Sequence, residues 1–127
     1  MPTAAASLRI VEGIAELLSG RPPEVASLCG RLLAVVEQFD DVRIEVSPAV
    51  IVLHGARRIL GSARPTRQGL SVHLNLPRQV EDRRVTRREP LTKTLTFHRF
   101  MLSSPDDLDE QFATWIDEAR VAADPRR

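Results

Sequence analysis

The sequence predicts an α+β fold, an antiparallel meander sheet of five to six strands with two N-terminal helices and one C-terminal helix packed on it as a two-layer sandwich. Three observations predict this class. Two amphipathic helical segments lie before residue 40, a series of alternating or short apolar segments follows, and a third amphipathic segment closes the chain. Helices that are separated in this way from consecutive strands are typical of α+β layers and not of parallel βαβ units.

The N-terminal helices are predicted from their apolar spacing and their boundaries. The first spans about residues 7–18 and ends at Gly20, and the second spans about 24–38 after the Pro22-Pro23 break. Cys29 lies on the apolar stripe of the second helix, so we interpret it as a small buried hydrophobe and not as a nucleophile. Because it is the only cysteine, we predict no internal disulfide and no multi-cysteine zinc site.

The strands are predicted from alternating or short apolar runs. Four of these runs cover residues 42–46, 50–54, 58–64 and 70–76. The segment 77–94 is less regular, and long structureless loops are uncommon in small domains. We therefore expect a short strand near 85–89 that turns at Pro90 and forms a hairpin with 95–102.

The C-terminal helix is predicted over 105–122, with Ser104 as its cap and Pro105 at its first position. Its apolar stripe consists of Leu108, Phe112, Trp115, Ile116 and Ala119. Its first turns carry four acids, Asp106, Asp107, Asp109 and Glu110. We interpret these acids as a solvated turn that suits the helix dipole; the alternative, a cation site, lacks metal-loop spacing and a loop glycine, so no metal is predicted.

Length and composition indicate one domain over residues 1–127, with an ordered core of about 7–122. Hydrophobic residues make up 43% and charged residues 28% of the chain, which is ordinary for a globular protein. The apolar segments are far shorter than a membrane span, and the first residues lack the pattern of a signal peptide. We expect a cytoplasmic protein without membrane association.

The net charge is only +1, but basic residues are concentrated between His54 and Arg88, a segment with nine arginines and two acids. Five of these arginines form a candidate anion-binding site: Arg78, Arg83, Arg84, Arg87 and Arg88. Such a site requires these side chains to be exposed, on one surface and not paired with the acids of residues 106–110. The alternative is that the charges protect an exposed edge strand from aggregation.

A second candidate is a ligand site on the polar face of the 70–76 strand, formed by Ser71, His73 and Asn75. The other histidines are also on predicted strands, but His98 shares its face with Phe100, which argues against a common histidine site. No phosphate-binding glycine loop and no serine-nucleophile motif is present, so we assign no catalytic residue and expect no cofactor.

The final strand indicates a surface for self-association. Phe97 and Met101 lie on the opposite side from Phe100 and Leu102, so a sheet with one helical layer leaves the first pair uncovered. We expect a homodimer through this face, with the acidic helix and the basic loop complementing each other across the contact.

Three segments carry a resemblance to a known family: RPPEV at Arg21–Val25, GLSVHLNLPR at Gly69–Arg78 and HRFMLSSPDDLDEQFATWIDEA at His98–Ala119. Over about residues 20–120 the chain resembles a family of small bacterial domains of unknown function, some members of which are labelled "predicted transport protein". More distantly, it resembles the YjbR-like group, whose frataxin-like fold packs helices on an antiparallel sheet. The resemblance implies a fold and supplies no catalytic residue.

The leading functional hypothesis is a non-catalytic binding or interaction module. The alternative is binding of nucleic acid, another polyanion or an acidic protein surface through the arginines of residues 78–88. An enzyme or small-molecule site around His73 is the third. A platform for stacking nucleic-acid bases is disfavoured, because aromatic residues make up only 4% of the chain and tyrosine is absent.

Overall fold

The computed structural model of the chain describes residues 4–124. Helix α1 spans Ala4–Leu18 and helix α2 spans Pro23–Val36, within a few residues of the predicted limits. Gly20 follows α1 with a φ of 76°, a left-handed conformation that favours glycine after a helix. Pro23 lies in the first turn of α2, where its missing N–H costs no hydrogen bond.

The six strands form one antiparallel sheet. They are β1 (Arg43–Val46), β2 (Ile51–His54), β3 (Ile59–Pro65), β4 (Leu70–Leu76), β5 (Val85–Pro90) and β6 (Thr96–Leu102). The sheet order is β1-β2-β3-β4-β6-β5, so the first four strands form a meander and β5 lies at the edge beyond β6. The predicted α+β class is therefore confirmed, and so is the hairpin that joins the irregular segment to the last strand.

One face of the sheet and the helices enclose the core. The side chains of Leu70, Val72, Leu74 and Leu76 are fully buried on this face, as the predicted alternation requires. Phe100 on β6 contacts Phe112 and Trp115, with ring centroids 5.1 and 5.3 Å away. Cys29 is also fully buried, and burial raises the pKa of its thiol, as expected for a small hydrophobe.

The predicted helix over 105–122 is corrected by the structure, which divides it into two parts. A 3₁₀ turn spans Pro105–Asp107, and helix α3 spans Glu110–Ala122 with Asp109 as its N-cap. Between them, Leu108 has a ψ of 72°, which is not helical, and its side chain is buried in the core. The apolar stripe of the helix is buried as predicted.

The other face of the sheet is called the open face here, because its side chains lie outside the core that the helices cover. It carries the outward residues of the strands: Arg43, Glu45, Val52, His54, Ser62, Arg64, Ser71, His73, Asn75, Arg87, Glu89, Phe97, Arg99 and Met101. Phe97 and Met101 are half-buried on this face, opposite Phe100 and Leu102. Within residues 4–124, no helix has the length and apolar content needed to cross a membrane.

Candidate functional site

The arginines of residues 78–88 have partners within the chain. Arg78 donates two hydrogen bonds to Glu118, at 2.9 and 3.0 Å, and Arg83 forms an ion pair with Asp107 at 2.7 Å. Arg87 pairs with Glu89 at 2.6 Å along the same strand. The guanidinium of Arg88 donates to the carbonyl oxygen of Val80 at 2.9 Å.

Arg84 is the most strongly held of the five, with a side chain only 5% exposed. Its guanidinium donates to both carboxylate oxygens of Asp82, to a carboxylate oxygen of Asp109 and to the backbone oxygen of Asp107. It also lies 4.9 Å from the ring centroid of Trp115, a cation–π contact. The hydrogen bond from Arg84 lowers the pKa of Asp82 below its ordinary value.

These contacts bear on the condition that was set for the anion-binding candidate. Arg84 is buried, and Arg83 and Arg84 are paired with Asp107 and Asp109, so neither meets the condition of being free of the acids of residues 106–110. The sequence separation of more than 20 residues hides this pairing from any local pattern. The basic segment and the acidic turn thus neutralise each other within one chain, and Arg84 joins the edge of the sheet to α3.

The three histidines lie apart. His98 is fully buried in the core, where its Nε2 accepts a hydrogen bond from the backbone N–H of Val80 and its Nδ1 contacts the carbonyl oxygen of Thr96. His54 pairs with Glu45 at 3.1 Å on the open face. Burial lowers the pKa of His98, so it is neutral near pH 7. Within residues 4–124, no group of three or more His, Cys, Asp or Glu side chains is placed to hold a metal ion.

Ser71, His73 and Asn75 share the open face, and a hydrogen-bonded chain passes through His73. The Nε2 atom of His73 lies 2.6 Å from Oδ1 of Asn75, and its Nδ1 lies 3.2 Å from the hydroxyl of Ser62. The amide nitrogen of Asn75 donates to the carbonyl oxygen of Ile59, which directs Oδ1 of Asn75 toward the imidazole. Nε2 therefore carries the proton, and Nδ1 accepts from Ser62.

The electrostatic surroundings keep this imidazole neutral. Burial lowers the pKa of His73, the hydrogen bond with Asn75 opposes that shift, and the charge of Arg99 adds to it. Phe97 stacks on the His73 ring with centroids 4.4 Å apart, and the Arg99 guanidinium lies 5.5 Å from the Phe97 centroid. Phe97 therefore packs against both the imidazole of His73 and the guanidinium of Arg99.

A cavity of about 240 Å³, called the open-face cavity here, lies beside this chain. It is lined by Ala49, Val50, Ser62, Arg64, Ser71, His73 and Arg99. Strand register explains the convergence: Arg64 on β3 lies opposite Ser71 on β4, and His73 lies opposite Arg99 on β6. Among residues 4–124, no carboxylate forms an ion pair with Arg64 or Arg99.

The sequence prediction named Ser71, His73 and Asn75 but not the two arginines of the cavity. Arg99 has the same alternation as Phe97 and Met101, so its face was already visible in the strand pattern. The residues beside Arg99 could not be predicted from the sequence, because β6 pairs with β4 and β5 lies at the edge of the sheet, an order that the strand pattern does not determine.

A larger groove of about 540 Å³ lies between α2 and the start of α3. Its walls are mainly apolar, from Ala34, Val35 and Leu108, and acidic side chains form part of its rim. One of these, Asp109, is already bound by Arg84 and by the N–H of Phe112. Arg31 is the one basic side chain among the residues that line the groove, whereas two arginines line the smaller cavity, so we favour the smaller cavity as the functional site.

The fold and this surface define a small two-layer α+β domain with a basic, solvent-facing sheet face. Residues 14–119, from the second half of α1 to α3, match the family described as Domain of unknown function (DUF5655), and the chain belongs to that family. This confirms the resemblance to a family of domains of unknown function, whereas the comparisons do not support the label "predicted transport protein" or the likeness to the YjbR-like, frataxin-like group. No curated protein and no solved structure shows significant similarity to the chain.

Proposed function

We propose that the chain is a non-catalytic binding module that binds an anionic ligand on its open face. The proposal is based on Arg64 and Arg99, which line one cavity and have no carboxylate partner among the described residues. By contrast, Arg78 is paired with Glu118 and Arg84 with Asp82. Unpaired guanidiniums beside hydroxyl donors are suited to bind phosphate or carboxylate oxygens.

The charge of the open face favours an anionic ligand over a second copy of the chain. The face carries four arginines, at 43, 64, 87 and 99, against two glutamates, at 45 and 89. A two-fold symmetric dimer through this face would bring the same basic surface against itself. The homodimer predicted through Phe97 and Met101 therefore competes with the anion for this surface, and it requires the like charges to be separated or neutralised.

A salt titration tests the proposal. The probe is a fluorescein-labelled single-stranded oligonucleotide, used as a simple polyanion, and binding is followed by anisotropy at 20–200 mM salt. If two arginines contact phosphates, the slope of log affinity against log salt is about −1.4, since each contact on a single strand contributes about 0.7. We expect weak binding that disappears near physiological salt.

Removal of the two cavity charges locates the site. Arg64→Gln with Arg99→Gln is expected to abolish the binding, because it removes both unpaired guanidiniums of the cavity, and it lowers the net charge by two, as Arg21→Glu does. Arg21→Glu is the matched control, since Arg21 is exposed and precedes α2, away from the sheet. Equal loss in the control variant would show that net charge alone is responsible, and equal binding by the cavity variant would overturn the proposal.

A second candidate function is hydrolysis, favoured by the Ser62–His73–Asn75 chain, in which a hydroxyl, a neutral imidazole and an orienting amide follow one another. Binding is the stronger proposal, because Ser62 lies inside β3 with its backbone in the sheet and lacks the exposed turn of a nucleophile elbow. The test is the rate of p-nitrophenyl acetate hydrolysis. Turnover that is lost in Ser62→Ala and retained in Arg21→Glu would promote the enzyme.

A further inference from the structure

The open-face cavity draws its polar groups from three adjacent strands. Arg64 and Ser62 come from β3, Ser71 and His73 from β4, and Arg99 from β6. Among the described residues, the Ser71 hydroxyl has no hydrogen-bond partner in the chain, and no unpaired side-chain oxygen there is fully buried, so this hydroxyl is open to solvent at the cavity. A hydroxyl that is unpaired, accessible and in the same cavity as two guanidiniums is available to a bound oxyanion.

We infer that this cavity binds the dianionic phosphate group of a small phosphate monoester, with Arg64 and Arg99 on the phosphate oxygens and Ser71 as a third donor. This inference rests on the proposed function and specifies its ligand. No carboxylate of the described chain is paired with either guanidinium, so the pair presents two positive charges. A phosphate monoester carries close to two negative charges near pH 7, because its second pKa is about 6.

The strand register brings like charges together beside the cavity, and a bound anion would reduce their repulsion. Arg87 on β5 lies directly opposite Arg99 on β6, and like charges at opposed positions destabilise a sheet. Arg87 is compensated by Glu89, whereas Arg99 lies over the Phe97 ring and has no ion-pair partner among the described residues. The uncompensated charge lies on the side of the strand pair that borders the cavity.

The size and walls of the cavity favour a small ligand over a polymer. Its volume of about 240 Å³ lies just below the usual range for small-molecule sites, about 300–1,000 Å³. Two apolar residues, Ala49 and Val50, form one wall and would contact the organic part of the ester. A carboxylate has two oxygens and is satisfied by one guanidinium, whereas a phosphate has enough oxygens for all three donors.

The test is an NMR titration of the full chain with phenyl phosphate at pH 7.5 and constant ionic strength. The chain has three histidines, so their ring signals form an internal comparison. The His73 ring lines the cavity, whereas His98 is buried on the opposite face of the sheet. We expect saturable shifts of the His73 ring signals and an increase in the pKa of His73, because a bound anion favours the imidazolium form.

Variants and ligand analogues define the site. Arg64→Ala and Arg99→Ala are each expected to weaken phenyl phosphate binding at least about tenfold, the loss of one charge-assisted hydrogen bond. Arg21→Ala is expected to change it less than about twofold, since Arg21 is exposed and away from the sheet. Phenyl sulfate, a monoanion of similar shape, and benzoate are expected to bind at least about tenfold more weakly than phenyl phosphate.

The outcomes separate this inference from the proposed function. Oligonucleotide binding that depends on Arg64 and Arg99, together with no response of His73 to phenyl phosphate, would overturn the monoester inference and leave the anion-binding proposal intact. Phenyl sulfate or benzoate binding as tightly as phenyl phosphate would also overturn it. Saturable phenyl phosphate binding without oligonucleotide binding would support the inference and restrict the proposed function to small ligands. If the variants of Arg64 and Arg99 bound phenyl phosphate and the oligonucleotide as tightly as the parent chain, both the inference and the proposed function would be refuted.

Discussion

Replacing Arg84 with alanine is expected to destabilise the fold by about 3 kcal/mol, which is large for a charged residue. Arg84 is 5% exposed and satisfies two carboxylates and one backbone carbonyl. Its removal leaves the carboxylates of Asp82 and Asp109 without their cation and the carbonyl oxygen of Asp107 without its donor. The cation–π contact with Trp115 is also lost.

The expected magnitude follows from these contacts. Removing one partner of a buried ion pair costs about 3–5 kcal/mol. The lower end applies here, because the side chains of Asp82 and Asp109 are 23% and 46% exposed and regain water when Arg84 is absent. Arg84→Lys is expected to recover less than half of the loss, since an ammonium cannot reproduce the planar set of donors that binds Asp82 and Asp109 at once.

Urea denaturation measures the loss, followed by the fluorescence of the single tryptophan, Trp115, which is buried in the core. Arg87→Ala is the matched control, because Arg87 also forms an ion pair with a carboxylate, that of Glu89, but has a side chain that is 54% exposed. Exposed pairs contribute about 0–1 kcal/mol, so the control is expected to remain near the parent. A loss below about 1 kcal/mol for Arg84→Ala, or equal losses for both variants, would refute the structural role of Arg84.

Three further predictions concern the core and the sheet. Trp115→Ala is expected to cost about 3–5 kcal/mol in urea denaturation followed by far-UV circular dichroism, since the variant lacks the fluorescent indole, and a loss below about 1 kcal/mol would place the indole in solvent. Gly61→Ala is expected to cost about 3 kcal/mol, because an added Cβ would lie 2.2 Å from the backbone oxygen of His73; an unchanged midpoint would contradict this close approach. The free energy of unfolding is expected to fall as the pH drops below about 6.5, the unfolded histidine value, because burial lowers the pKa of His73 and His98 and the unfolded chain then binds more protons. His98→Gln should reduce this slope between pH 6.5 and 5, and an unchanged slope would mean that His98 does not contribute.

The elements of the fold were predictable wherever local spacing determines them. The alternation from Leu70 to Leu76 and the stripe from Leu108 to Ala119 each define a buried face within one segment, so no knowledge of their partners was needed. The break at Leu108 was missed because a run that begins Ser-Pro-Asp-Asp has the same caps whether the first turn is 3₁₀ or α-helical. Burial of Leu108 in the core decides between the two.

The candidate site was less predictable, because it depends on contacts between distant segments. The neighbouring sequence does not show that Arg84 is buried and Arg87 exposed. The distinction arises because Asp82 and Asp109 meet around one guanidinium, and Asp109 is brought there by the start of α3. The cavity likewise requires β6 to pair with β4, which brings Arg99 next to His73.

Chemical-shift mapping can show residue by residue whether the open face binds anions. The measurement is a ¹H–¹⁵N NMR titration of the full chain with phenyl phosphate and, separately, with the oligonucleotide at low salt. We predict that the perturbed amides cluster on β3, β4 and β6 around Arg64, His73 and Arg99. Perturbations centred on residues 78–88, or on the groove between α2 and α3, with the open face unchanged, would contradict the claim.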